Sequence, residues 1–145
     1  MGGYYFKQIK DIEISHSVSK IAGVFDGNNY SLSYFLDSGI YSYVFYEMAG
    51  YTEFKNINLI MGKIGISLLN IADWGTSYGV TFENITFNST ESMTTVNANN
   101  FGFAVVNALY TMGEGKAVYT FKNITNNVNL QNEGTCTGFL VGSGP

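Results

Sequence analysis

The chain has 145 residues, of which 46% are hydrophobic and only 12% charged, with a formal net charge of −4. Its seven basic residues are all lysines, which speaks against nucleic-acid binding, because clustered Lys and Arg are needed to neutralise phosphates. The length predicts a single domain over 1–145, the single Cys136 rules out an intrachain disulfide, and no run of about 18 apolar residues predicts a membrane span.

From the N-terminus, Met1-Gly2-Gly3 reads as an expression start. Asp11-Ile12-Glu13-Ile14-Ser15 alternates polar and apolar residues, so residues 4–20 are expected to form an N-terminal cap or first edge strand. The lone His16 follows and reads as a surface-loop residue, since a metal site needs several ligands. Next comes Ala22-Gly23-Val24-Phe25-Asp26-Gly27-Asn28-Asn29-Tyr30-Ser31-Leu32, in which Asp26-Gly27-Asn28-Asn29 predicts a tight turn. A single carboxylate, Asp26, makes a weak calcium site.

Residues 34–51 are rich in tyrosine, and Tyr41, Tyr43, Tyr46 and Tyr51 are candidate partner-binding residues. Strict alternation would put Tyr41 and Tyr43 on one strand face and Val44 and Tyr46 on the other, so one of the two faces should point outward. Exposed Tyr offers large contact area at low entropy cost; the alternative is that the rings fill the core.

A signature then recurs: Phe54-Lys55-Asn56-Ile57-Asn58, Phe82-Glu83-Asn84-Ile85-Thr86 and Phe121-Lys122-Asn123-Ile124-Thr125, with Phe25-Asp26-Gly27-Asn28-Asn29 as a looser first copy. The four Phe positions, 25, 54, 82 and 121, recur at periods that mark a stacked-repeat architecture. Phe and Ile three apart would face opposite ways in a straight strand. A bend at the intervening Asn brings both inward, and Asn tolerates such geometry. Asn56, Asn84 and Asn123 are therefore expected to stack as an inward ladder of side-chain amides, with each Asn bonding the backbone of the next rung.

A second phrase follows each signature: Gly65-Ile66-Ser67-Leu68-Leu69-Asn70, Gly102-Phe103-Ala104-Val105-Val106-Asn107 and Gly138-Phe139-Leu140-Val141-Gly142. Between units, residues 72–79 form a loop with the only tryptophan, so Asp73, Trp74 and Tyr78 join the partner-binding candidates, although Trp74 also fits a hydrophobic plug. The polar stretch 88–100 holds the sequon Asn88-Ser89-Thr90. Asn88 is the expected glycan acceptor, because the inward reading of Asn84 and Asn123 leaves no room for a sugar there. The terminal Gly142-Ser143-Gly144-Pro145 reads as a cut or linker, and the chain as one module excised from a longer repeat protein. Each unit is two or three short strands that must stack on neighbours. With 17 Gly, one Pro and no helical periodicity, the fold class expected is all-β: a right-handed parallel β-helix of about four irregular units with a short N-terminal cap.

The run Gly23-Val24-Phe25-Asp26-Gly27-Asn28-Asn29-Tyr30-Ser31-Leu32 resembles the G-x-F-D-G-N-x-Y-x-I phrase of right-handed parallel β-helix surface proteins, and Gly138-Phe139-Leu140-Val141-Gly142 is similar to their GLUG-type repeats. That resemblance implies an extracellular or cell-surface location. Composition and module size are also similar to those of anaerobic-fungal scaffoldin modules of the cohesin type, which implies dockerin-bearing enzymes as partners.

Catalytic chemistry is not expected. The β-helix fold hosts pectate-lyase-like enzymes, which typically use an Arg base and a calcium cluster, but this chain has no Arg and scattered acids. Its acids do not align as a glycosidase pair, and Ser-His-Asp chemistry would rest wholly on His16. The expectation is a non-catalytic module without cofactor or metal that binds a protein partner or, alternatively, a polysaccharide, with a polysaccharide-active enzyme as the lesser alternative.

Overall fold

The computed structural model describes residues 3–35, 43–71, 79–96, 101–105, 118–132 and 140–141. These residues are all-β, with no helix among them. The strands are β1 (Tyr4–Lys7), β2 (Ile12–Ile14), β3 (Val18–Asp26), β4 (Ser31–Tyr34), β5 (Tyr43–Met61), β6 (Ser67–Ile71), β7 (Gly79–Ser89), β8 (Thr94–Val96), β9 (Val118–Asn126) and β10 (Leu130–Asn132). Every described pairing is parallel. The main sheet curls as a half-barrel.

One side of that sheet runs β1–β3–β5–β7–β9, and its register places Phe6, Phe25, Phe54, Phe82 and Phe121 in a single column. The rings of Phe54 and Phe82 stack at 5.4 Å, and those of Phe82 and Phe121 at 5.2 Å. After the bend, β2, β4 and the second half of β5 continue alongside β7. Phe54 and Ile57 are both buried, as are Phe82 and Ile85, and Leu59 and Phe87 continue the inner face. Separate parallel bridges link Ile64 with Thr95, and Leu69 with Val105 and Val105 with Val141.

The bend has a single-residue cause. Asn56, Asn84 and Asn123 have φ of 53°, 55° and 51°, in the left-handed region. A left-handed residue consumes one position without alternating faces, so the residues on either side keep pointing inward. Asn is among the few non-glycine residues that accept this at small cost. In the first copy the corner is built differently. Asn28 and Asn29 both have positive φ, and the Tyr30 amide donates to the Gly27 carbonyl at 2.9 Å, which closes the tight turn.

Residues 4–20 hold more regular structure than a cap. β1 and β2 pair in register with β3 and β4, which adds a fifth Phe to the column. The close approach of β1 requires Gly23: its φ is +95°, and a Cβ there would lie 2.1 Å from the Tyr4 carbonyl oxygen.

Candidate functional site

Candidate binding residues lie on β5 and on the outer side of the sheet. Tyr43 is half-buried and its ring lies 5.6 Å from that of Tyr46, which is exposed. Burial raises the Tyr43 phenol above its ordinary value, and the neighbouring Tyr46 and Tyr34 hydroxyls add to the shift. The expected face sharing of Val44 and Tyr46 is corrected: Val44 and Phe45 are both buried while Tyr46 is outside. The alternation breaks because adjacent residues Val44 and Phe45 both enter the core, where Phe45 meets Phe25 and Phe54 at 5.5 and 5.2 Å. Tyr51 is 55% exposed, and its hydroxyl lies 3.3 Å from that of Thr81. Tyr41, Asp73, Trp74 and Tyr78, like Cys136, lie outside the described residues.

The asparagines form a ladder on the outside of the corner. Asn123 Nδ2 donates to Asn84 Oδ1 at 2.9 Å, Asn84 Nδ2 to Asn56 Oδ1 at 2.9 Å, and Asn56 Nδ2 to Asp26 Oδ1 at 3.0 Å. Asn84 and Asn123 are exposed and Asn56 half-buried, so the inward orientation expected from the sequence is wrong, and each amide bonds the side chain of the neighbouring rung instead of its backbone. The left-handed residue carries its side chain on the convex side of the bend, and the stacked Phe rings fill the concave side.

A second series runs beside it: Asn127 Nδ2 donates to Asn88 Oδ1 at 2.9 Å, Asn88 Nδ2 to Asn58 Oδ1 at 2.5 Å, and Asn58 Nδ2 to Ser31 Oγ at 3.0 Å. This changes the glycosylation reading. Asn84 and Asn123 are more exposed than Asn88, and the Nδ2 that a glycan would occupy is already a donor at all three.

Asp26 terminates the first ladder and is buried. Its Oδ2 accepts from the Tyr5 hydroxyl at 2.6 Å, and its Oδ1 from the Asn28 amide at 2.9 Å and from Asn56. Burial pushes its pKa up, but the bonds from Tyr5, Asn56 and Asn28 and the charge of Lys55 outweigh this and hold the carboxyl below its ordinary value. The same contact raises the Tyr5 phenol, first through its bond to Asp26. Both carboxylate oxygens are thus engaged by protein donors, an arrangement suited to holding a corner.

Sequence reasoning missed the aromatic N-terminal edge. Tyr4, Tyr5 and Phe6 are all exposed on β1, with Tyr4 at 74%. The signal was the Tyr-Tyr-Phe run itself, which lacks the Asn of the later copies. His16 is exposed, and its Nδ1 lies 2.8 Å from the adjacent Ser15 Oγ. Among the described residues, no three His, Cys, Asp or Glu side chains are grouped to hold a metal, and no helix is long and apolar enough to cross a membrane. Comparison of the chain with protein-family models, with curated proteins and with solved structures finds no match.

Proposed function

We propose that this chain is a non-catalytic protein-binding module of an extracellular or cell-surface protein, built as a right-handed parallel β-helix. The bridges that tie Leu69, Val105 and Val141 into one line support closure of the curled sheet, because successive units then return to the same place. A stacked solenoid offers a rigid flank for recognition. The observation that carries the binding reading is the exposure of Tyr46 and Tyr51 on β5, next to the buried Phe45 and Thr52. Aromatic residues of this kind are enriched at the centres of protein interfaces. A scaffoldin module that recruits dockerin-bearing enzymes is the specific form of this reading that composition and module size suggest.

Pull-down from a native secretome with the immobilised module identifies the partner. The double change Tyr46→Ser and Tyr51→Ser should then weaken that partner by more than about 1 kcal/mol per hot-spot ring, with the melting temperature little changed. Undiminished binding by the double variant would remove the aromatic flank from the account. A carbohydrate-binding reading draws on the Tyr51 ring with the Thr81 hydroxyl at its rim; retardation in polysaccharide gels, lost in Tyr51→Ser, separates it from protein binding.

A further inference from the structure

An N-linked sugar requires the triplet Asn-x-Ser or Asn-x-Thr. The chain carries it at Asn29-Tyr30-Ser31, Asn84-Ile85-Thr86, Asn88-Ser89-Thr90 and Asn123-Ile124-Thr125. The sugar is held by the side-chain nitrogen, so these sites differ by what that nitrogen does in the fold. Asn84 Nδ2 donates to Asn56 Oδ1 and Asn123 Nδ2 to Asn84 Oδ1, each at 2.9 Å, while Asn88 Nδ2 donates to Asn58 Oδ1. Asn84 and Asn88 also accept from the following rung. A sugar ring on such a nitrogen would have to fit beside an amide one strand spacing away, about 4.8 Å.

Asn29 is placed differently. It is exposed, and its side chain makes no hydrogen bond among the described residues. The turn that carries it is fixed through its backbone. Asn28 and Asn29 have φ of 51° and 63°, and positive φ at both central residues is the geometry of a tight primed turn. The Tyr30 amide closes that turn on the Gly27 carbonyl at 2.9 Å, and the Asn29 amide donates to the Asn56 carbonyl at 3.0 Å. The other turn asparagine, Asn28, is half-buried and ties its Nδ2 to the Gln8 carbonyl at 3.3 Å. The turn thus commits one Asn side chain to structure and leaves the other outward, where it can be enlarged without breaking a described bond.

We propose that Asn29 is the N-glycosylation site of this protein, and that Asn84, Asn88 and Asn123 stay unmodified in the folded molecule. The donor is an oligosaccharide carried on a lipid diphosphate. Asn29 Nδ2 bonds to C1 of the sugar, the C1–O bond to the diphosphate breaks, the lipid diphosphate leaves with the electron pair, and one Nδ2 proton is lost to solvent. The inference rests on the extracellular reading, because the chain meets this donor and its transferase during export.

The test uses the full chain, exported through the secretory route of a yeast and recovered as protease-resistant folded protein from medium and cells together. Enzymatic release of the sugar in heavy-oxygen water turns each occupied Asn into labelled Asp, and peptide mass spectrometry then reads every triplet. Asn29 should be occupied in most molecules, and Asn84, Asn88 and Asn123 in few. Asn29→Asp, which keeps tolerance of the left-handed angle, should abolish the slower gel band. Thr86→Ala with Thr90→Ala and Thr125→Ala removes the other triplets, keeps every ladder amide and should retain that band. An unmodified Asn29, or folded protein with sugar on Asn84, Asn88 or Asn123 as often as on Asn29, would overturn the inference. Occupancy of the wild-type chain needs no variant, so a misfolded variant cannot mask the result. The two readings fail separately: native protein found inside its own cells would remove the extracellular reading, whereas an empty Asn29 in the yeast product removes this site wherever the native protein resides.

Discussion

Replacing Asn84 separates the two jobs that the corner asparagine performs. Asn84 holds φ at 55° and also bonds in both directions along the ladder. Alanine loses both: roughly 1–2 kcal/mol for a non-glycine, non-Asn residue in the left-handed region, and about 0.5 kcal/mol for each of two bonds that water can partly replace at an exposed site. The expected cost of Asn84→Ala is therefore about 2–3 kcal/mol. Glycine accepts the backbone angle and loses only the bonds and about 0.5–1 kcal/mol of chain entropy, so Asn84→Gly should cost about 1.5–2 kcal/mol. Asn84→Asp keeps much of the left-handed tolerance and can still accept from Asn123, but it sets a carboxylate against Asn56 Oδ1 and loses that donor. Urea unfolding followed by far-ultraviolet circular dichroism gives the three values directly. Asn84→Ala should be less stable than Asn84→Gly, and Asn84→Asp should gain stability at low pH, where the protonated carboxyl can donate to Asn56 Oδ1. Equal stability of Ala and wild type would refute the left-handed corner as the element that turns Phe and Ile to the same side.

Phe82 lies fully buried between two stacked rings, so Phe82→Ala should cost about 3–5 kcal/mol, whereas Phe6→Ala, at the half-exposed end of the same column, should cost less than about 1 kcal/mol; calorimetric melting compares the two. The Asp26 carboxyl is held below its ordinary value in the folded state, so its contribution is present above the unfolded pKa of about 4 and is lost as pH falls through the folded value. Urea midpoints measured downward from neutral pH should fall more steeply below about pH 4 in the wild type than in Asp26→Asn, and identical slopes would contradict the assignment.

The parallel sheet was legible because the signature repeats the same corner. Phe54, Phe82 and Phe121 are each followed by the same Asn two positions later, so register follows once the units are stacked. The first rung was hidden because Phe6 is followed by Lys7 and Gln8, and its partner Phe25 turns through Asn28 and Asn29 instead of one Asn. The side on which the ladder lies was misread for a different reason. Sequence spacing shows that a bend is needed, but which side the Asn side chain takes depends on whether the extra residue is left-handed, and only φ reveals that. The break at Val44 and Phe45 was equally invisible, since both residues suit a strand on either face.

Closure of the curled sheet into a solenoid is tested most directly by a disulfide between turns. Leu69 and Val105 are both fully buried and bridge in parallel, so their backbones lie about 4.8 Å apart, within the range that a disulfide spans. In a Cys136→Ser background, Leu69→Cys with Val105→Cys should oxidise readily in the native protein and retain the strand signal in circular dichroism. Closing a loop of that length should then add up to about 4 kcal/mol against unfolding. Two thiols that stay free in the folded, oxidised protein would contradict closure, and with it the solenoid on which the binding proposal rests.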